Sequence, residues 1–264
     1  MSELSDIKEF LQHTRLDGER AYCIFEGGGA KGYAHVGVLD CIETIGFDVR
    51  GFAGTSAGAI IATLASVGYS AKDMIDLAGG THLIQTLYPD GDVEPLDLLG
   101  DGRDRIERMV SGSTWRAARQ GFWQFGVMER HGLSSTKNFR KAMERAISQR
   151  LNNPAMARAT FAELFDHTGV HLRMVGANIT RRTLTLFSAE ETPNVVVADA
   201  VAASAAIPGL FDPVRFSVPS IDNPGREEPA DFVDGGLVSN LPAWAFDAER
   251  AIDREAITVL STID

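Results

Sequence analysis

Apolar residues near the start of the chain recur in short runs that are separated by glycine-rich turns and helical patterns. Residues 21–25 form an apolar run of strand length, and apolar side chains then recur at helical spacing from 33 to about 45, where Gly46 ends the pattern. A second apolar run at 49–53 is followed by a helical pattern at 59–65. Two strand–turn–helix units in succession predict a parallel sheet covered by helices, which is the α/β fold class.

Both kinds of pattern continue in the second half of the chain. Phe139, Met143 and Ile147 recur at four-residue spacing and predict a helix that starts near Ser134 or Ser135, either of which can cap it. Further predicted elements are a hairpin from 172–180 and 184–188, a buried helix at 194–206, a polar loop at 221–229, a short strand at 232–233 and a last strand at 256–261. Because no linker or repeat interrupts these patterns, we predict one domain over residues 1–264.

Two segments show weaker patterns. Residues 1–20 predict a short helical lead-in, because Ile7, Phe10 and Leu11 share one face. Residues 79–135 are interpreted as an insertion that carries an aromatic cluster of Trp115, Phe122, Trp123 and Phe125. The cluster has two interpretations: core packing beneath the insertion, or an apolar lid that admits acyl chains.

Composition narrows the class of protein. The 264-residue chain is 44% hydrophobic and 23% charged, which is typical of a soluble globular protein. Its formal net charge of −11 argues against nucleic-acid binding and against tight binding to anionic membranes, but leaves transient contact with a lipid surface open. We expect a cytoplasmic protein, because the chain has neither a signal-peptide core nor a run of roughly 20 apolar residues. Cys23 and Cys41, each in an apolar context, are predicted to be buried, reduced thiols.

The turn between the second strand and its helix is Gly54-Thr55-Ser56-Ala57-Gly58, a G-x-S-x-G element. In a strand–turn–helix setting, such an element holds a nucleophilic serine in strained backbone geometry, and its two glycines keep the turn uncrowded. At a helix N-terminus, backbone amides favour negative charge that develops near Ser56. The alternative interpretation is an ordinary turn that caps a helix.

The first turn, from Glu26 to Gly32, fits two different chemistries. Gly27, Gly29 and Gly32 match the G-x-G-x-x-G fingerprint of a dinucleotide site, and Asp48 follows at about the distance of a ribose-binding carboxylate. Consecutive glycines at a strand end also expose backbone N–H groups, as an oxyanion hole requires. The second interpretation is favoured, because a dinucleotide site has no use for a serine turn on the next strand.

A serine hydroxyl needs a neighbouring base to become a good nucleophile. No histidine lies in a clear strand-end loop after the serine, and the six are His13, His35, His82, His131, His167 and His171. Asp234 follows a short apolar strand and precedes Gly235 and Gly236, so its carboxylate can point at a neighbouring strand-end loop, although Asp-Gly is also an ordinary turn signal. We therefore predict a Ser56–Asp234 dyad, in which Asp234 accepts the Ser56 proton and returns it to the leaving alcohol.

Four motifs in this order resemble those of the patatin-like phospholipase family: the glycine turn at 27–32, the serine turn at 54–58, an Ala-Ser-x-Ala-x-Pro segment at 203–208 and Asp-Gly-Gly at 234–236. The resemblance spans residues 22–236 and implies a three-layer α/β/α fold with a mostly parallel central sheet. It also implies hydrolysis of acyl esters, usually of phospholipids or lysophospholipids, with no metal and no organic cofactor. Members commonly continue beyond the last motif, so we expect either a compact member or a chain cut near the end of its catalytic domain.

The same resemblance implies roles for individual residues. Ser56 is the nucleophile, Asp234 is the general base, and the amides of the glycine turn form the oxyanion hole: Gly27, Gly28, Gly29 and Ala30. Lys31 either orients the turn or meets a phosphate head group, or it is a solvated surface lysine, and the supporting motif residues are Gly32, Gly54, Gly58, Gly235 and Gly236. The expected partner is a phospholipid or another acyl-ester lipid, with transient contact to a membrane surface and no nucleic acid. Two alternatives stay open: a soluble esterase or thioesterase with the same dyad, and a dinucleotide-binding protein that uses residues 27–32.

Overall fold

In a computed structural model, residues 16–28, 32–74, 135–223 and 225–263 are described. The predicted lead-in helix (1–20) and the insertion (79–135) with its aromatic cluster lie almost wholly outside the described residues. The same holds for Gly29, Ala30 and Lys31 of the glycine turn. The expectations of a single domain, of a lid and of a cytoplasmic location stay predictions.

The described residues form helices and strands that we number in chain order. They are β1 (Arg20–Phe25), α1 (Tyr33–Ile45), β2 (Asp48–Gly54), α2 (Ala57–Ser66), α3 (Ala71–Met74), α4 (Lys137–Arg150), α5 (Phe161–Thr168), β3 (His171–Asn178), β4 (Thr183–Phe187), α6 (Val197–Ser204), β5 (Val214–Pro219), β6 (Glu227–Asp234), α7 (Asp247–Ile252) and β7 (Ile257–Ser261), with 3₁₀ turns at Pro154–Arg158 and Gly235–Leu237. Among these residues, no helix has the length and apolar character that crossing a bilayer requires.

The seven strands of the described residues form one sheet in the order β5–β6–β3–β2–β1–β7, with β4 paired to β3 outside this path. β7, β1, β2 and β3 pair in parallel, whereas β4 and β6 run antiparallel to β3, and β5 runs antiparallel to β6. All strands except β4 and β6 therefore point in one direction. The predicted α/β class with a mostly parallel central sheet is confirmed, and β3 and β4 form the predicted hairpin.

The first two strand–turn–helix units are both present. Gly46 follows α1 with a backbone φ of 82°, and its N–H bonds to the carbonyl oxygen of Ile42. This left-handed conformation costs glycine little and ends the helix where the sequence predicts. β2 then enters the sheet beside β1 and leads directly to the serine turn.

Side chains are buried on both faces of the sheet, and alternate residues of β1 show this division. Cys23 and Phe25 pack into the main core, to which α1, α2, α4 and α6 contribute their buried side chains. Tyr22 and Ile24 face the other side and pack with Phe246, which lies just before α7. Burial on both faces is what a mainly parallel sheet requires.

β3 brings two distant segments together at one end of the sheet. Residues 174–178 pair with β4 along one edge of β3. Met174 also pairs with Gly54 of β2, and Gly176 also pairs with Asp234 of β6. Because a strand has only two edges, β2 and β6 both lie on the edge of β3 that is opposite β4. The C-terminal ends of β2 and β6 therefore meet end to end beside β3.

Some details differ from the sequence-based predictions. The polar loop predicted at 221–229 is shorter, because β6 already begins at Glu227, and β5 before it was not predicted. β6 accordingly replaces the short strand predicted at 232–233. Cys23 is buried, but Cys41 is exposed, so the prediction of two buried thiols is wrong for Cys41. Burial raises the pKa of the Cys23 thiol to about 12, which keeps it protonated.

Candidate active site

Ser56 lies in the turn between β2 and α2 with a backbone φ of 53° and ψ of −119°. A positive φ is uncommon for residues other than glycine, and strain of this kind is typical of functional turns. The turn is tight, because a Cβ on Gly54 would lie 2.7 Å from the backbone nitrogen of Ala59, and one on Gly58 would lie 2.7 Å from the carbonyl oxygen of Glu26. This is the geometry of a nucleophile elbow, with Ser56 at the N-terminus of α2.

The Ser56 hydroxyl donates a hydrogen bond of 2.6 Å to Oδ2 of Asp234. Both residues are only 7% exposed. The other carboxylate oxygen of Asp234, Oδ1, accepts a hydrogen bond of 2.7 Å from the Gly236 N–H. Gly235 lies against the backbone of Val175 with no room for a side chain, so the Asp-Gly-Gly turn can sit close to β3.

The surroundings of Asp234 raise the pKa of its carboxyl above the ordinary value. The main cause is burial, which disfavours the charged form, while the hydrogen bonds from Ser56 and Gly236 act in the opposite direction without cancelling it. A carboxylate with a raised pKa is a stronger base than an exposed one. It is also already bonded to the hydroxyl proton that a base would remove.

A residue with no role assigned from the sequence holds the backbone of Ser56. The Ser56 N–H donates a hydrogen bond of 3.0 Å to the Ser204 hydroxyl oxygen, and that hydroxyl donates one of 2.7 Å to the carbonyl oxygen of Val175. Ser204 is the last residue of α6 and is fully buried. It therefore ties the serine turn to both α6 and β3. The only sequence signal for it was its position in the Ala-Ser-x-Ala-x-Pro segment.

The glycine turn begins directly beside the serine. A Cβ on Gly27 would lie 3.3 Å from the Cβ of Ser56. The Gly27 N–H donates a hydrogen bond of 3.0 Å to the carbonyl oxygen of Asn240, so this amide is already engaged. Within the described parts of the chain, the Gly28 N–H has no such partner. Gly32 ends the turn against α2, where a Cβ would lie 2.8 Å from that of Ala57.

The described histidines do not bond the serine. His35 is fully buried beneath the glycine turn and bonds Glu26 and Ser261. His171 lies at the start of β3 and pairs with Glu190 at 2.9 Å. His167 lies on α5 and is exposed.

One group of side chains among the described residues has the spacing of metal ligands. His171, Glu190 and Glu249 each offer a ligand atom, and these atoms lie within 4.8 Å of one another. The Arg173 guanidinium already pairs with both carboxylates, at 3.3 Å from Glu190 and 2.9 Å from Glu249. The hydrogen bond with His171 is the main cause that lowers the pKa of Glu190 to about 2. Since a protein cation neutralises the carboxylates, the group does not suit a metal ion.

The chain is similar in sequence to known proteins. A sequence model described as patatin-like phospholipase matches residues 23–247. The uncharacterized protein YqhO of Bacillus subtilis (strain 168) is 28% identical over 236 residues, which cover 86% of this chain and 67% of that protein. The probable lipid hydrolase 463L of Invertebrate iridescent virus 6 is 25% identical over 83% of this chain and 60% of its own length.

Among solved structures, VipD from Legionella pneumophila aligns with a TM-score of 0.45 at 18% identity, covering 92% of this chain and 50% of VipD. The chain thus spans about two thirds of the bacterial relative and less of the other two proteins.

Proposed function

Because the chain belongs to the patatin-like phospholipase family, we propose that it hydrolyses the carboxylic esters of lipids through a Ser56–Asp234 dyad. One observation carries this proposal: the hydrogen bond of 2.6 Å from the Ser56 hydroxyl to the buried Asp234 carboxylate. It joins a nucleophile to its base in the way that activated serines require. Among the described histidines, none offers Ser56 an alternative base.

In the first half-reaction, the Ser56 oxygen attacks the carbonyl carbon of the ester while Asp234 accepts the hydroxyl proton. The carbonyl π bond opens, and its electron pair moves onto the oxygen to give a tetrahedral oxyanion. When this intermediate collapses, the bond to the leaving alcohol breaks, and Asp234 returns the proton to the alcohol oxygen. The product is an acyl ester on Ser56.

In the second half-reaction, Asp234 accepts a proton from a water molecule that attacks the acyl carbon. Collapse of the second tetrahedral intermediate breaks the bond to the Ser56 oxygen, which regains the proton from Asp234. The fatty acid then leaves, and the dyad is restored. The Asp234 carboxylate therefore serves as base and acid in turn in both half-reactions.

The proposed oxyanion donors are the amides of Gly28, Gly29 and Ala30. The Gly27 amide is left out of this set, because it already donates to the Asn240 carbonyl oxygen. A single such donor typically stabilises the transition state by about 3–4 kcal/mol. The first turn of α2 adds a favourable dipole on the same side of the site as Ser56.

A lipid ester is the proposed substrate class. The name of the viral relative, a probable lipid hydrolase, supports it, as does the description of the family. The head group and the chain length would be set by residues around the mouth of the site. A soluble esterase or thioesterase with the same dyad is the alternative that the test must separate.

The test is lipid-product analysis of the purified chain on mixed phospholipid micelles, beside Ser56→Ala as the inactive reference. We expect free fatty acids and lysophospholipids from the wild type and none from Ser56→Ala. A short-chain ester and an acyl thioester are assayed in parallel. Activity on these soluble substrates alone would favour the esterase alternative. Lipid hydrolysis that survives in Ser56→Ala would contradict the proposal.

A further inference from the structure

His35 is a fully buried ionisable side chain for which the proposed reaction has no use. It lies on α1, the helix that follows the glycine turn, and its ring packs edge-on against Phe25 with 5.3 Å between ring centroids. Burial is the main cause that lowers the pKa of its imidazole. The ring is therefore neutral at physiological pH, so one ring nitrogen donates a hydrogen bond and the other accepts one.

Both ring nitrogens of His35 have partners in the polypeptide. Nε2 lies 2.7 Å from the carbonyl oxygen of Glu26, and Nδ1 lies 2.6 Å from the Ser261 hydroxyl oxygen. Because a carbonyl oxygen only accepts, Nε2 must carry the proton. Nδ1 of the neutral ring then accepts from the Ser261 hydroxyl. The backbone of Ser261, at the end of β7, also accepts the Glu26 N–H at 3.0 Å.

The carbonyl group that His35 binds belongs to the peptide unit between Glu26 and Gly27. The N–H of the same unit donates to the backbone oxygen of Asn240 at 3.0 Å. His35 and Asn240 therefore hold this planar unit at its two opposite ends, and it cannot rotate without breaking a bond. The next carbonyl, that of Gly27, accepts from the Asn240 side-chain amide at 3.0 Å.

These bonds decide where the Gly28 amide points. In a trans peptide unit the N–H is opposite the carbonyl, so fixing the Gly27 carbonyl on Asn240 directs the Gly28 N–H to the other side. Gly27 itself lies beside Ser56. The orientation of residues 26 and 27 is thus transmitted directly to the amide that begins the proposed oxyanion hole.

We propose that His35 is a positioning residue, which holds the Glu26–Gly27 peptide unit and so aligns the Gly28 amide with the ester oxygen that becomes negatively charged at Ser56. This inference rests on the proposed function, and it adds to that function a residue that does not touch the substrate. Oxyanion donors act mainly in the transition state, and a misplacement of about 1 Å costs about 100-fold in rate. His35 should therefore affect kcat far more than KM.

The test compares steady-state hydrolysis of a soluble ester by four forms of this chain. They are the wild type, His35→Leu, His35→Gln and the control His167→Leu, which changes an exposed histidine on α5. His35→Leu removes the donor to Glu26, whereas His35→Gln keeps a side-chain N–H of similar reach. We expect kcat to fall about 100-fold in His35→Leu with little change in KM, and to recover by about tenfold in His35→Gln. The control should match the wild type.

Two further measurements separate positioning from general stability. Circular dichroism gives the folded fraction, and kcat is expressed per folded molecule. The acid limb of the pH profile should be the same in His35→Gln as in the wild type, because Asp234 is unchanged. If His35→Leu does not fold, Ser261→Ala replaces it, and we expect about a tenfold loss of kcat from the freed ring. A kcat per folded molecule equal to the wild type in these variants would overturn the inference.

A readout that does not depend on activity distinguishes the two proposals. Nitrogen-15 chemical shifts of the His35 ring should report a neutral imidazole protonated at Nε2 at pH 7. A ring protonated at Nδ1 would contradict the assigned bond to Glu26. If the wild type hydrolysed no ester, the proposed function would fail, whereas these shifts would still test how the peptide unit is held.

Discussion

At the scale of the residue, Asp234 is subject to opposing influences. Burial raises the pKa of its carboxyl, and hydrogen bonds from Ser56 and Gly236 lower it, with burial prevailing. The proposed reaction needs the carboxylate in its charged form as the base, although burial makes that form costly. Such an arrangement is typical of a group that takes and returns a proton during a reaction.

This balance predicts the acid side of the pH dependence. Protonated Asp234 cannot accept the Ser56 proton, so activity should fall as the pH drops through the pKa of Asp234. Because that pKa is raised, the fall in kcat/KM should be centred above the ordinary aspartate value of 3.8. The measurement is kcat/KM on a soluble ester against pH, with circular dichroism to show that the fold persists. An acid limb centred at or below the ordinary value would contradict the assignment.

The sequence alone indicates the principal residues of the candidate site but not their supports. Ser56 and Asp234 stand in motifs whose neighbouring glycines have a recognisable physical purpose. Ser204 and Asn240 form hydrogen bonds to segments that are far away in the chain, and His35 bonds a carbonyl oxygen nine positions before it. The residue types of all three are common in unrelated contexts. Only the folded backbone brings a histidine to the carbonyl oxygen of Glu26 or a serine hydroxyl to the Ser56 amide.

At the scale of the element, the serine turn depends on close contact between α2 and β1. Gly58, in the first turn of α2, lies against the carbonyl groups of Phe25 and Glu26 at the end of β1. Backbone atoms cannot move aside as flexible side chains do. This close contact between α2 and the end of β1 places the glycine turn next to the serine turn.

Gly58→Ala should therefore separate these elements. The new Cβ would clash with the Phe25 carbonyl group and lie 2.7 Å from the carbonyl oxygen of Glu26, and we expect a loss of stability of about 3 kcal/mol or more. Gly37→Ala is the matched control, because Gly37 lies within α1 with nothing within 4 Å of its Cβ position. That control should gain about 0.5–1 kcal/mol from the higher helix propensity of alanine. Urea unfolding of both variants checks this, and equal stabilities would refute the close contact.

Prediction of elements succeeded where the apolar pattern was strong. α1 and α4 have clear apolar stripes, and Gly46 marks the end of α1. α7 was missed because none of its residues is buried, so it carries no stripe. α5 was also missed, although Thr160 and Glu163 form a capping box at its start. Its eight residues are too few for a periodic pattern to stand out.

At the scale of the whole molecule, the order of the strands assembles the site. β6 enters the sheet antiparallel to β3 and stops where β2 also stops, so that Asp234 and Gly54 oppose residues of β3 that are two positions apart. Ser56 and Asp234 thus become neighbours although 178 positions separate them. Local patterns predict most of the strands, but they contain no sign that two strands share one edge of β3.

The Ser56–Asp234 dyad is tested by the rate of ester hydrolysis of Asp234→Asn. Asparagine has the shape of the carboxylate but cannot accept the Ser56 proton, so we expect kcat/KM to fall about 1,000-fold. Asp231→Asn is the matched control on the same strand, because the Asp231 carboxylate faces Arg215 at the surface. We expect near-total loss of activity in Asp234→Asn beside unchanged activity in Asp231→Asn. Near-normal hydrolysis by a folded Asp234→Asn protein would contradict the dyad.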